Sequence, residues 1–334
     1  MPILWHTDKR SRDLTMDTFD HTLIFGPVPS RRLGRSIGIN NIPPKRCSYS
    51  CIYCQIGPTY QQQITREPFY KPEIIIQQVQ EKIDKTRENN ESIDYLTFVA
   101  DGEPTLDKNL GELIQQLKSF HIPIAVISNA SLIYDEAVRK DLNHADLVSL
   151  KIDAVDETIW KSINKPHSAL HLKNILTGIT YFSEQFSGKL LTETMLINGI
   201  NDSSDHLARI AQLIEHLHPY KSYLSIPIRP TAESSVHPAT EQALTTAYSL
   251  FQHHHIPTEY LIGFEGDDFA YTGNIEQDIL SITSVHPMRK QSIEQLLKKA
   301  GKDFTIIKKL IQQDQLVEYT VNDTVFYMRK LSRT

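Results

Sequence analysis

Cysteine is scarce in this chain. Three occur in 334 residues, Cys47, Cys51 and Cys54. An odd count in a chain of this length excludes a disulfide framework. Long apolar runs are missing too. Nothing approaches the roughly 18 consecutive apolar residues of a membrane span, and the first 40 residues hold no apolar leader core. A cytoplasmic protein without membrane contact is the expectation. Three catalytic signatures are absent: a Gly-rich phosphate loop, a Ser nucleophile elbow and a His-Glu-x-x-His metal helix. Net positive charge is also absent, since 35 Lys and Arg face 40 Asp and Glu. No global basic field draws the chain to nucleic acid.

A hydrophobic share of 40% supplies a buried core, and the length suits one large domain with a small companion. Charge is unevenly spread. From Ser281 onward ten Lys and Arg stand against five Asp and Glu, which leaves 25 against 35 before it. The tail is therefore basic and the body acidic.

The three cysteines lie in PPKRCSYSCIYCQIGP, with the spacing C-x3-C-x2-C and an aromatic, Tyr53, before the last. Three thiolates this close can point at one metal centre. They are one short of the four that close a structural zinc site or saturate a cubane cluster. On a [4Fe–4S] cluster they leave one iron open to a small chelating molecule. Two other readings fit the spacing. A Cys3His zinc site could take its fourth ligand from His121, His144 or His167, or the thiols could pack as small hydrophobes. A thiolate iron–sulfur site calls for a reducing compartment.

Residues 1–24 are polar and read as an N-terminal extension. Beyond them GPVPSRRLGRSIGINNIPP sets Arg31, Arg32 and Arg35 among Gly and Pro, as an anion contact or a solvated turn. A strand–helix rhythm follows. Strands are expected over 36–42, 95–100, 123–127, 147–152, 189–196 and 223–228. Helices are expected over 72–87, 107–120, 134–142, 168–186, 203–217 and 240–254. Six strands alternating with helices predict an α/β fold with a parallel sheet over 25–275. Small or charged groups stand at strand ends: Asp101-Gly102-Glu103-Pro104, then Ser128 and Asn129, then Lys151 and Asp153, and later Arg229. Gly263–Phe269 reads as a mouth loop. His253-His254-His255 looks like a metal tract but sits at a helix end, where His complements the dipole. Residues 281–334 read as a separate module. It has helices over 287–300 and 304–313, then strands over 316–319 and 325–328 joined by Asn322-Asp323, a hairpin signal.

The cysteine spacing with its aromatic resembles the signature of the radical S-adenosylmethionine (SAM) superfamily. Together with GPVPSRRLGRSIGIN, DGEPTL and VHPMR, it makes the chain from Phe25 onward resemble one radical SAM group in particular. Proteins of that group are described as Fe–S oxidoreductases and are distantly related to wyosine-type tRNA synthases. The resemblance implies a partial (β/α)6 TIM-like barrel with its active site at the C-terminal strand ends. It implies a [4Fe–4S] cluster on Cys47, Cys51 and Cys54, with S-adenosyl-L-methionine on the open iron. One electron then cleaves SAM to methionine and a 5′-deoxyadenosyl radical, which takes hydrogen from a substrate. Asp101-Gly102-Glu103 resembles the family's Gly-Gly-Glu, which implies that Gly102 and Glu103 hold the methionine amino group. Asp101 departs from that pattern. By the same resemblance Tyr53 contacts adenine, and Ser128 and Asn129 the ribose or carboxylate. Lys151, Asp153 and Arg229 face SAM or substrate.

Wyosine synthases of this lineage carry a second cluster on three further cysteines, and none is left here. The tail resembles a winged-helix module, either a nucleic-acid contact or a lid or dimer module. The leading expectation is a single-cluster enzyme acting on RNA, with an electron donor such as flavodoxin or ferredoxin. The alternatives are a protein-modifying radical SAM enzyme (a methyltransferase or glycyl-radical activase) and a non-enzymatic zinc module on nucleic acid.

Overall fold

A computed structural model describes residues 23–59, 61–261, 269, 271–285, 288–321 and 324–330. Residues 1–22 of the expected extension, the expected mouth loop up to Asp268, and Asn322-Asp323 lie outside them.

Two extended runs open the described chain. β1 (Ile24–Ser30) and β2 (Gly34–Ile39) pair antiparallel across a tight turn that holds Arg31 and Arg32. Gly34 takes φ 62, the left-handed conformation that such a turn requires. Part of the stretch expected as loop is therefore strand. Pro27 and Pro29 fit there because β1 is the edge of the sheet.

The loop after β2 carries the short parallel pair β3 (Arg46–Cys47) and β4 (Gln61–Gln62). The chain then alternates: α1 (Pro72–Glu88), β5 (Tyr95–Phe98), α2 (Leu110–Leu117), β6 (Ile124–Ser128), α3 (Glu136–Leu142) and β7 (Leu147–Lys151). It continues with α4 (Glu157–Asn164), α5 (Leu172–Gln185), β8 (Lys189–Met195), α6 (Ser204–Leu217), β9 (Lys221–Ser225), α7 (Glu241–His253) and β10 (Thr258–Leu261). The strand order is β1-β2-β5-β6-β7-β8-β9-β10, parallel from β2 onward. The sheet curls into an open half-barrel, the α/β architecture of a partial TIM barrel. All six expected parallel strands form, with ends displaced by a few residues. β10 adds a seventh. The helix expected over 168–186 divides the work differently: α4 comes first, and α5 begins only at Leu172.

Strand alternation decides what faces where. Leu96, Phe98, Ile124, Val126, Val148 and Leu150 join the large core shared with the helices. Ala125, Leu147, Leu191 and Tyr223 belong to a second, smaller core with Leu33. Two and four residues further along these strands stand Lys151, Glu193 and Ser225. The period of two therefore raises a polar layer above an apolar floor.

The chain ends in α8 (Ile275–Val285), β11 (Met288–Arg289), α9 (Lys290–Lys299), α10 (Thr305–Gln312), β12 (Leu316–Val321) and β13 (Thr324–Arg329). The strands form an antiparallel sheet in the order β11-β13-β12. The helix expected from 287 starts at Lys290, because Met288 and Arg289 pair with Tyr327 and Phe326 instead. This unit has its own core, which draws on Phe269 and α8 as well as on later residues, and Val28 of β1 packs against it. Lys82 of α1 reaches Asp278 of α8 at 3.2 Å. No helix among the described residues is long and apolar enough to cross a membrane.

Candidate active site

The cysteine loop is moored to α4. Ser50 N donates to Asn164 O at 3.0 Å and Ile52 N to Ile163 O at 2.9 Å. Trp160 of the same helix donates Nε1 to Tyr49 Oη at 3.2 Å, with the two rings edge to face. Ile52 and Ile163 share a small apolar cluster with Ile197 and Val236. On the other side the loop's entry is stitched to the end of β5. Lys45 N donates to Asp101 O at 2.8 Å and Glu103 N to Arg46 O at 3.2 Å. Gly102 is required there, because a Cβ on it would lie 1.7 Å from the Arg46 carbonyl oxygen.

A cavity of about 310 Å³ opens beside this loop, within the 300–1,000 Å³ or so of small-molecule sites. Cys47, Cys51 and Cys54 all line it, with Tyr53, Gly102, Ser128, Asn129, Lys151 and Arg229. Of the residues singled out from the sequence, Glu103 and Asp153 stand behind its wall. Each is a buried anchor. Glu103 Oε1 accepts from Ser128 Oγ at 2.8 Å and from Thr105 N and Oγ1 at 3.1 and 2.6 Å, while Oε2 accepts from Asn129 N at 2.7 Å. Asp153 accepts from Met195 N at 2.9 Å, from Asn164 Nδ2 at 3.0 Å and from the Tyr53 hydroxyl.

Both anchors end at a cysteine. Asn129 Nδ2 donates to Cys47 Sγ at 3.4 Å, and Asn164 Nδ2 donates to Cys51 Sγ at 3.4 Å. Asn164 is a functional residue that the sequence reading passes over together with α4. Its signal is faint but present: Asp156 as N-cap, then Ile159, Trp160 and Ile163 at helical spacing.

Electrostatics separate the site into two zones. Around the thiols, burial dominates. It pushes the Cys47 thiol well above its usual range, Cys51 up to about 12, and Cys54 upward against the pull of Lys45. Such thiols lose their protons to a coordinated metal, so an iron–sulfur core bound there would add to the single positive charge, Lys45, that acts on Cys54. Asp101 is likewise pushed up to about 7 by burial. Across the cavity lies a charge network. Glu193 accepts from Lys151 Nζ at 3.1 Å, from Ser225 Oγ at 2.9 Å and from Arg32. Lys151 also stands 3.5 Å from Asp153 and 5.0 Å from the centre of the Tyr53 ring. Burial alone would raise Glu193, but Lys151 and Arg32 outweigh it and hold the carboxyl at about 2.

The remaining candidates fall into place around this. Of the three early arginines, Arg32 lines the cavity, Arg35 pairs with Glu91, and Arg31 donates to Tyr260 O at 3.4 Å. Arg229 donates to Gln55 Oε1 at 2.9 Å, next to Cys54 in the chain. The histidines proposed as a fourth zinc ligand do not converge on the thiols. His121 and His144 precede β6 and β7 and so lie at the opposite end of the barrel, with His144 Nε2 bonded to Gln115 at 2.6 Å. His167 is near, since its N–H donates to Ser48 O at 2.9 Å, but its ring accepts from Ala169 N at 3.2 Å. Among the described residues no group of three His, Cys, Asp or Glu is placed to hold a single ion. One ion needs its ligands within one bond length of a point, whereas a cubane spreads them over its corners. His254 of the histidine tract pairs with Glu215 at 2.8 Å.

Known proteins resemble this chain in sequence and in fold. A UPF0026 protein of Methanocaldococcus jannaschii is 47% identical over 312 residues, covering 93% of this chain and 97% of that protein. The dual-specificity RNA methyltransferase RlmN of Buchnera aphidicola is 25% identical over 183 residues, 51% of this chain and 48% of that one. Among solved structures, a radical SAM methyltransferase from Sphaerobacter thermophilus shares the fold. Its TM-score is 0.51 at 14% identity, over 68% of this chain and 66% of that chain. Residues 41–213, which run from the cysteine loop through α6, match the radical SAM superfamily, and the chain belongs to it.

Proposed function

We propose that this enzyme uses one cluster and SAM to act on RNA. Radical SAM enzymes use a [4Fe–4S] cluster and SAM. The observation that carries the reading is a single open cavity whose wall presents three thiols from a chain that has only three. Bound there, cluster and SAM supply a 5′-deoxyadenosyl radical by one-electron reductive cleavage. The chain's residues do the rest. Cys47, Cys51 and Cys54 would hold three of the cluster's irons and leave the fourth open to SAM. Gly102 lets the β5 end approach the loop, and Glu103 fixes Ser128 and Asn129 in the wall. Tyr53, Ser128 and Asn129 face the adenosine, while Lys151 and Arg229 offer positive charge to a carboxylate or phosphate. A one-electron donor protein such as flavodoxin or ferredoxin supplies the reductant.

Two observations support RNA as the substrate. One relative is named as an RNA methyltransferase. The final unit, α8-β11-α9-α10-β12-β13, has the order of a winged-helix module and exposes Lys298, Lys302 and Lys308 on and between α9 and α10. The test is anaerobic. Reconstituted protein with dithionite and SAM should release 5′-deoxyadenosine, and total RNA should raise the yield severalfold while a protein extract does not. Stimulation by the protein extract alone would move the substrate to the protein class.

The asparagine contacts carry their own expectation. N–H donors stabilise the more negative, reduced cluster. Asn164→Ala should therefore lower the cluster's midpoint potential. A hydrogen bond worth about 1 kcal/mol corresponds to roughly 40 mV for one electron. An unchanged potential in a redox titration followed by EPR would show that the contact is not made to a cluster ligand.

A further inference from the structure

Asp101 stands where the family pattern has glycine, and it is the carboxylate that the cavity presents. It is 3% exposed, lines the cavity, and its Oδ1 accepts no hydrogen bond among the described residues. Lys45, Asn40 and Arg329 offset part of the cost of burying this carboxylate, but an oxygen without a donor remains costly and a bound ligand can supply one. Glu103, two residues on, is in the opposite condition. It is fully buried, lies outside the cavity wall and accepts four hydrogen bonds. Ser128 and Asn129, which bond to it, line the cavity in its place and stand between it and an amine bound there. The one other carboxylate among the described lining residues is Glu193, which is occupied by Lys151, Arg32 and Ser225.

We propose that the Asp101 carboxylate, not that of Glu103, accepts an N–H from the α-amino group of SAM, and that Glu103 is a positioning residue. The proposal rests on the reading that SAM binds in this cavity. Position supports it. Asp101 N donates to Asn40 Oδ1 at 3.0 Å, and its carbonyl accepts from Lys45 N at 2.8 Å, two residues before Cys47. The carboxylate is thus fixed on the wall that carries Cys47 and Cys54. An amino acid chelating the open iron must put its amine within reach of that wall. A carboxylate accepting from the N–H of such an amine makes a charge-assisted hydrogen bond, the strong kind.

The test uses the reconstituted holoenzyme and two probes, SAM and its deamino analogue, titrated against the EPR signal of the reduced cluster. Asp101→Asn should keep the wild-type iron content and weaken SAM by about 10-fold to 100-fold. The wild type should lose more than this factor when the amine is removed from the probe, since an iron ligand goes with it, and Asp101→Asn should lose less than the wild type by about the factor that the substitution itself costs. Asp101→Gly, the family's own residue, should behave like Asp101→Asn and guards against a local effect of the amide. The proposal is overturned if Asp101→Asn binds SAM as the wild type does, or if it discriminates the amine as strongly as the wild type does. It is also overturned if both variants fail to load iron, since Asp101 would then serve the cluster's seat through Lys45. A wild-type holoenzyme whose EPR signal ignores SAM would overturn the reading of the cavity itself, a result distinguishable from the others.

Discussion

Replacing Cys51 by alanine will leave a chain that holds no [4Fe–4S] cluster and forms no 5′-deoxyadenosine. The chain has three cysteines and all of them line the cavity, so no spare thiol can move in. Two thiolates leave two irons open, and a cubane held at two corners is lost to solvent or chelators. The rest of the molecule should barely notice. The loop around Cys51 is held by main-chain bonds from Ser50 and Ile52 to the end of α4, which the substitution leaves in place. The small loss of burial is worth on the order of 1 kcal/mol. Iron and sulfide per chain, read beside the thermal midpoint, check both halves. A Cys51→Ala protein with full cluster absorbance would sink the ligand assignment.

The second large effect is on stability. Glu193→Gln removes the carboxylate on which Lys151 and Arg32 converge, and their side chains are only 14% exposed. Breaking one partner out of a buried charge group costs about 3–5 kcal/mol. Asp153, 3.5 Å from Lys151, compensates in part, so the lower end is expected. The pH dependence follows from the sign. The folded carboxyl is held at about 2, below the ordinary glutamate value of about 4.3. Its contribution is complete above pH 4.3 or so and drains away as pH falls toward 2. Denaturant unfolding from pH 6 down to 3 should show the wild type converging on Glu193→Gln. A variant within 1 kcal/mol of the wild type at pH 7 would mean that water already screens the network.

Legibility followed range along the chain. The apolar strands from β5 to β9 and the longer helices could be read because their signal is local: alternation, spacing and caps. The cysteine loop could be read because its three cysteines fall within one short stretch. α4 could not, since eight residues with Ile159, Trp160 and Ile163 give a weak period. Asn164 was hidden with it, because its meaning comes from Cys51, 113 positions away. Glu193 on β8 looks like one more polar residue on an alternating strand until Arg32, 161 positions earlier, is placed beside it. The roles of Glu103 and Asp101 were hardest to separate. They are neighbours in one motif, and only the packing reveals that one faces inward to its own backbone and the other toward the cavity. β1 was masked by its prolines, which argue against a strand everywhere except at a sheet edge.

The packing of β1 against the final unit has a consequence for how the protein is made. Synthesis delivers β1 among the first described residues and α8 near the last, yet Val28 completes its burial only against the core that α8 helps to build. Until α8 has been made, a nascent chain carries the β1 edge without that cover. Closure depends on contacts between distant parts of the chain, the slow kind, and meanwhile the edge can recruit strands from other chains. A chaperone that masks the edge until α8 emerges will help such a protein fold.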